Sequence, residues 1–190
     1  MVSESEVGAF IGGAPGGPKA ERALAAVMAE TGANPADEEG QRVVRALAAV
    51  RLGAAPEVVS KHLGWKEFES FCARLLRLSG YVVRENVVIT KPRVQIDIVA
   101  SGPTMTLSID CKHWSKAHSN TSLADIAAAQ KRRSLILKRR MAGGPPIASV
   151  ILSFSAPEGG FVDGVALVPV RTLTNFVQSV ESYTRMLELC

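Results

Sequence analysis

Val94-Gln95-Ile96-Asp97-Ile98-Val99-Ala100-Ser101-Gly102-Pro103-Thr104-Met105-Thr106-Leu107-Ser108-Ile109-Asp110-Cys111-Lys112 is the stretch on which the fold turns. Its apolar residues recur with a period near two on either side of Ser101-Gly102-Pro103. That pattern predicts an antiparallel pair of strands, Val94–Ala100 and Thr106–Lys112, joined by a short turn. Alternation sets Val94, Ile96, Ile98 and Ala100 on one face of the first strand, with Gln95, Asp97 and Val99 on the other. In the second strand Leu107, Ile109 and Cys111 oppose Ser108, Asp110 and Lys112. If Ala100 pairs with Leu107, Asp97 falls across from Asp110, and two carboxylates and an ammonium crowd one patch at the sheet's edge.

Working outward, Tyr81–Ile89 reads as a strand leading into this hairpin. Before it, Trp65, Phe68, Cys72, Leu75 and Leu76 recur at helical spacing, and Ser79-Gly80 supplies the stop. After it, residues 121–141 read as a long helix ended by Gly143-Gly144-Pro145-Pro146. Ile147–Ser155 is apolar enough for a sheet interior. A short strand at about 165–170 then leads into a final helix whose Leu173, Phe176, Val177, Val180 and Leu187 share one side. Strands joined by short turns run antiparallel, whereas a strand following a helix runs parallel to the one before it. The expected fold is therefore α/β, with helices on both faces of a mixed central sheet.

The 190 residues fit one such domain with a small appendage. Residues 1–17, ending in Gly12-Gly13-Ala14-Pro15-Gly16-Gly17, read as a flexible tail. Residues 18–63 read as an N-terminal helical region, either a small bundle, part of a helix-turn-helix or a cap on the main domain. Residues 64–190 form that domain. The net charge is +4, and it is uneven: residues 1–60 hold eight acidic and five basic side chains, the rest ten and seventeen. A polyanion would dock on the later part. Cys72, Cys111 and Cys190 have no metal-binding or disulfide spacing, which suggests a reducing, cytoplasmic setting. No apolar run approaches the roughly 20 residues of a membrane helix.

Two facing Asp side chains repel each other unless a cation sits between them. A hard divalent ion, Mg²⁺ or Mn²⁺, suits oxygen ligands, and Asp97, Asp110 and the backbone carbonyl of Cys111 could supply them. Lys112 returns to the same face two residues beyond Asp110. There it could serve an attacking water and the extra charge of a pentacovalent phosphate. The plainer alternative is a cross-strand salt bridge on a solvated sheet face. Against it, Asp is depleted in strands, yet two occur here in apolar ones.

These residues resemble the PD-(D/E)xK, or restriction-endonuclease-like, nuclease superfamily, nearest its Mrr-type and archaeal Holliday-junction-resolvase-like branches. The resemblance covers roughly 64–155. It rests on Trp65-Lys66-Glu67-Phe68-Glu69, Leu75-Leu76, Gly80-Tyr81, Gln95-Ile96-Asp97-Ile98-Val99-Ala100 and Ile109-Asp110-Cys111-Lys112-His113-Trp114. It implies a three-layer α/β/α fold and a metal-dependent nuclease, an endonuclease acting on DNA. It maps the strand acid to Asp97 and the acid-x-lysine pair to Asp110 and Lys112. Glu69 would lie near the metal, directly or through water, and Gln130 would support the site. A helical wheel points Gln130 inward, but spacing does not choose between Glu67 and Glu69. Many relatives carry Gly or an acid shortly before the strand Asp, where this chain has Arg93, Val94 and Gln95.

Cations cluster around the same region. Lys131, Arg132, Arg133, Lys138, Arg139 and Arg140 lie on the flanks of the long helix, and Lys91, Arg93, His113 and Lys116 near the strand ends. Phosphate contacts are their expected role, a solvated helix face the alternative. Trp114 and His118 could touch a base or simply pack. Two rival functions use the same residues: a nucleic-acid-binding protein without turnover, and a subunit dependent on a partner held by residues 1–60. Cutting a branched substrate would call for a homodimer, with the apolar final helix as the candidate surface. No small-molecule cofactor is implied.

Overall fold

A computed structural model of the chain describes residues 3–32, 38–112, 120–141, 143–154 and 159–190. It divides into two units, Met1–Leu75 and Leu76–Cys190.

The first unit is helical: α1 (Glu4–Ile11), α2 (Pro18–Thr31), α3 (Glu38–Arg51), α4 (Pro56–Ser60) and most of α5 (Trp65–Leu78). Helix α1 replaces part of the expected tail. Ser3 and Glu6 form a reciprocal capping box, and Val7 and Ile11, one turn apart, are both buried. The amphipathic signal of α1 is short and directly precedes a Gly-Pro run, so burial rather than local pattern fixes this helix. Arg45 holds the end of α1, donating to the carbonyls of Phe10 and Ala14 at 3.2 and 3.1 Å. Glu67 caps α5 by accepting from Gly64 N–H at 2.7 Å, and it also pairs with Arg42 at 2.6 Å.

The second unit is built on a six-stranded mixed sheet in the order β1-β2-β3-β4-β6-β5. Its strands are β1 (Val82–Thr90), β2 (Arg93–Ser101), β3 (Thr106–Lys112), β4 (Ile147–Ser153), β5 (Gly160–Val162) and β6 (Val165–Pro169). Strands β1, β2 and β3 are antiparallel, while β3, β4 and β6 are parallel. This is the restriction-endonuclease-like α/β arrangement. Short strand β5 was not anticipated from its three residues. Helix α6 (Asn120–Arg140) connects β3 to β4 and packs on both.

The hairpin register is the expected one: Ala100 pairs with Leu107, Val99 with Ser108 and Ile98 with Ile109. Beyond that point β2 leaves β3. Its outer half, with β1, turns toward the C-terminal half of α6: Ile89, Ile96 and Val99 cluster with Leu137 and Ile147. Arg140 donates to the Lys91 carbonyl at 2.8 Å.

The expected final helix is broken. A 3-10 turn (Val170–Thr172), α7 (Leu173–Gln178) and a second 3-10 turn (Val180–Tyr183) take its place. Leu173, Phe176, Val177, Val180 and Leu187 are all buried within the chain. The apolar side expected to serve a homodimer is thus covered by the chain itself, and its hydrophobicity is accounted for by packing.

Ile109 is fully buried in central strand β3, flanked by Ile98 and Val150. Ile109→Ala should destabilise the protein by about 3 kcal/mol, read as a lowered urea midpoint with unchanged slope.

Candidate active site

Four charged groups converge where β2 and β3 part. Asp97 comes from β2, Asp110 and Lys112 from the end of β3, and Arg133 from α6. The site therefore sits on interior strands, at the middle of β2 and the C-terminal end of β3, rather than at the sheet's edge.

Asp97 occupies an interruption on both sides. Across β1, Glu85 pairs with Ile98 and Val87 with Ile96, so Asn86 lies opposite Asp97. Asn86 adopts the left-handed φ of 51°, which asparagine tolerates better than most residues. Across β3, the ladder stops at Ile98–Ile109, and the Cys111 N–H donates to the Asp97 carboxylate at 2.8 Å. Burial pushes the Asp97 carboxyl above the usual range. The Cys111 bond opposes that shift, the Asp110 charge adds to it, and Lys112 and Arg133 oppose it.

Asp110 is nearly inaccessible, its side chain 8% exposed. Lys112 Nζ stands 2.8 Å from its Oδ2 and Arg133 Nη1 3.2 Å from its Oδ1. The lysine lies at ion-pair distance but off the line of a hydrogen bond, so buried Oδ2 accepts none. A solvated salt bridge does not describe this pair, because β3 is buried on both faces up to Asp110.

Beneath the charges lies a buried polar chain. Gln130 points inward, fully buried, and donates to the Ser108 carbonyl at 2.7 Å and its hydroxyl at 3.3 Å. Its Oε1 accepts from Arg133 at 3.4 Å. Ser134, one turn on, donates to the Gln130 carbonyl at 3.1 Å and accepts from Ser149 of β4 at 2.7 Å. These bonds satisfy buried groups that would otherwise cost stability, and they tie α6 to β3 and β4.

The cations expected to meet phosphate divide into two sets. Lys131 pairs with Glu188 and donates to the Asp163 carbonyl at 3.1 Å. Lys138 donates to the Gly144 and Pro145 carbonyls at 3.1 and 3.2 Å, capping the loop after α6. With Arg133 in the charge cluster, these three have partners within the chain, as does Arg140 through the Lys91 carbonyl. Their partners are remote in sequence or are backbone atoms, so a helical wheel does not reveal them. Lys91, Arg93, Arg132, Arg139 and Arg140 are exposed. His113 and Lys116, like Trp114 and His118, lie outside the described residues. The sequence pattern gives Arg133 a phosphate contact on the helix flank but not its place beside Asp110. Its spacing of three from inward-facing Gln130 was the available signal. In the first unit, Glu67 is engaged with Gly64 and Arg42, and Glu69 is half-buried.

The donors fit a hard cation. Asp110 is a buried carboxylate whose Oδ2 is met only by the Lys112 ammonium, at 2.8 Å, among the described contacts, Asp97 is a second carboxylate close enough for the two charges to interact, and Cys111 adjoins both. Among the described residues no three His, Cys, Asp or Glu side chains form a metal-binding group. Two carboxylates with waters and phosphate oxygens are, however, a usual shell for Mg²⁺.

An acid pair with a lysine at the parting of two strands, on a mixed sheet crossed by one long helix, defines a nuclease-like class of α/β domain. The family model described as "Restriction endonuclease" (Mrr_cat) matches residues 60–136, which include Asp97, Asp110, Lys112, Gln130 and Arg133. The match covers less than half of the chain and is consistent with a PD-(D/E)xK-like nuclease superfamily. The crystal structure of protein VC1899 from Vibrio cholerae is similar over 96% of this chain, at 12% identity and a TM-score of 0.40. The chain spans 54% of the length of that protein. No curated protein matches it. Among the described residues no helix is long and apolar enough to cross a membrane.

The raised Asp97 carboxyl carries a stability consequence. Its folded pKa exceeds the unfolded one, so folding holds the proton more tightly. The resulting stability is present below the ordinary carboxylate range and lost as pH rises through the folded value. Asp97→Asn keeps an acceptor for Cys111 N–H and removes the buried charge. The variant should be more stable than the parent at pH 7, with the gain vanishing toward pH 3. Denaturant midpoints across that range check it.

Proposed function

We propose that the protein is a metal-dependent DNA endonuclease of the cytosol that hydrolyses phosphodiester bonds. The observation that carries this reading is the buried Asp110 carboxylate, which lies near Asp97 and meets the Lys112 ammonium at 2.8 Å. Asp97, Asp110 and the Cys111 carbonyl would hold Mg²⁺ or Mn²⁺, which when bound supplies positive charge to the phosphoryl oxygens and acidifies water. Lys112 would turn its ammonium from Asp110 to the phosphate, matching the charge that grows there as water adds and the ester oxygen leaves. Gln130 would hold the β3 backbone through Ser108, and Glu69 would support the site directly or through water. Lys91, Arg93, Arg132, Arg139 and Arg140, with His113 and Lys116, would contact phosphates of the duplex. The nuclease domain would begin near residue 64, after the helical region.

Cleavage should be assayed on linear duplex, single strand, flap, four-way junction and methylated duplex, each with Mg²⁺ and with chelator. At least one substrate should be cut only with the metal. Asp110→Ala and Lys112→Ala should each slow cutting by about 10²–10³-fold while keeping a cooperative unfolding transition. Cleavage that survives chelator, or is undiminished in Lys112→Ala, defeats the reading. Metal-independent DNA binding without product would favour a binding protein instead.

A further inference from the structure

The charge cluster is balanced before any ligand arrives. Asp97 and Asp110 bring two negative charges, Lys112 and Arg133 two positive ones. Each Asp110 oxygen faces its own cation. A divalent cation entering here would leave the cluster with two excess positive charges in a partly buried setting. That state is unfavourable unless a cation withdraws or an anion enters. Lys112 turns to the reacting phosphate in the reading above, and Arg133 is the second cation on Asp110, placed to withdraw from it. Its side chain is 32% exposed, and its contacts to Asp110 and Gln130, at 3.2 and 3.4 Å, are long for charge-assisted bonds. It is also anchored on α6, whereas Lys112 shares strand β3 with Asp110.

We propose that Arg133 is a positioning residue that couples metal to phosphate. Without ligands it neutralises Asp110 and weakens the site for a cation. When the cation takes Asp110, the guanidinium swings off Oδ1 and binds a phosphate of the incoming nucleic acid, whose charge restores the balance. Metal and nucleic acid then bind with positive, reciprocal coupling. This rests on the nuclease reading above and adds to it a residue outside the acid-lysine set.

The test uses the full chain. Mn²⁺ affinity is measured by electron paramagnetic resonance on DNA-free protein for the parent, Arg133→Gln, Arg133→Lys and Asp110→Ala. Affinity for a duplex is measured with Ca²⁺ and with chelator. Arg133→Gln should bind Mn²⁺ about tenfold more tightly than the parent, and the Ca²⁺-induced gain in duplex affinity should shrink by about tenfold. Arg133→Lys keeps the charge and should stay near the parent in Mn²⁺ affinity. A structural role alone would not tighten metal binding. Unchanged or weaker Mn²⁺ binding by Arg133→Gln, alongside a loss in Asp110→Ala, overturns this inference and leaves the nuclease reading standing. No Mn²⁺ binding by parent or variant overturns both. Should Arg133→Gln not fold, ¹⁵N-arginine resonances of the parent decide: the Arg133 signal should shift on Mg²⁺ and duplex addition, and an unmoved signal overturns the proposal.

Discussion

The hydrogen bond from Cys111 N–H to the Asp97 carboxylate is the constraint that organises the site. Strand β2 has two partners that pull it apart. Its inner half pairs with β3, and its outer half turns with β1 onto the apolar C-terminal half of α6. Where it leaves β3, a part-buried backbone donor loses its ladder partner, and such a loss costs about 1–3 kcal/mol if nothing replaces it. Asp97 replaces it. The same residue thus closes the gap in the sheet and brings a carboxylate to the neighbourhood of Asp110. An apolar residue at 97 would serve neither purpose.

Rigidity beneath the charges comes from a different source. Gln130, Ser108, Ser134 and Ser149 are fully buried and bonded to one another or to backbone. A polar chain of this kind stabilises only when its members are paired, which makes the position of α6 on β3 and β4 specific. Gln130 therefore has a structural duty whatever its part in chemistry. Because Arg133 follows it by less than one turn, the satisfied amide also fixes where the guanidinium starts. The charged quartet is held by neutral bonds below it.

The hairpin register was legible because a period of two and a short Gly-Pro turn leave little freedom. Ala100 opposite Leu107 then carries Asp97 toward Asp110 without further information. What the alternation could not reveal was the parting of the strands. That depends on apolar contacts between Ile89, Ile96 and Leu137, residues remote in sequence. Long cationic side chains were the other blind spot. A helical wheel sets Arg133, Lys131 and Lys138 outside the apolar stripe, but a wheel records directions from the axis and not reach. Each side chain bends back to an acceptor contributed by another element: Asp110, Glu188 or the carbonyls after α6. Helix α1 and the broken final helix were misread for a shared reason. In both, burial by neighbours decides the conformation more than the local glycine or apolar pattern does.

The same bending sorts the surface. Cations with internal acceptors are held in place by the fold, and those left facing outward are gathered by one contact in particular. Arg140 donates to the Lys91 carbonyl, so the β1–β2 turn and the end of α6 meet, and Lys91, Arg93 and Arg140 come from segments otherwise about fifty residues apart. Arg93 also shares alternation with Asp97 along β2. Four residues of extended strand span about 13 Å, so the backbones of Arg93 and Asp97 lie about that far apart. The departure of β2 from β3 thus has two effects at once. It creates the vacancy that Asp97 fills, and it brings the basic β1–β2 turn against the end of α6.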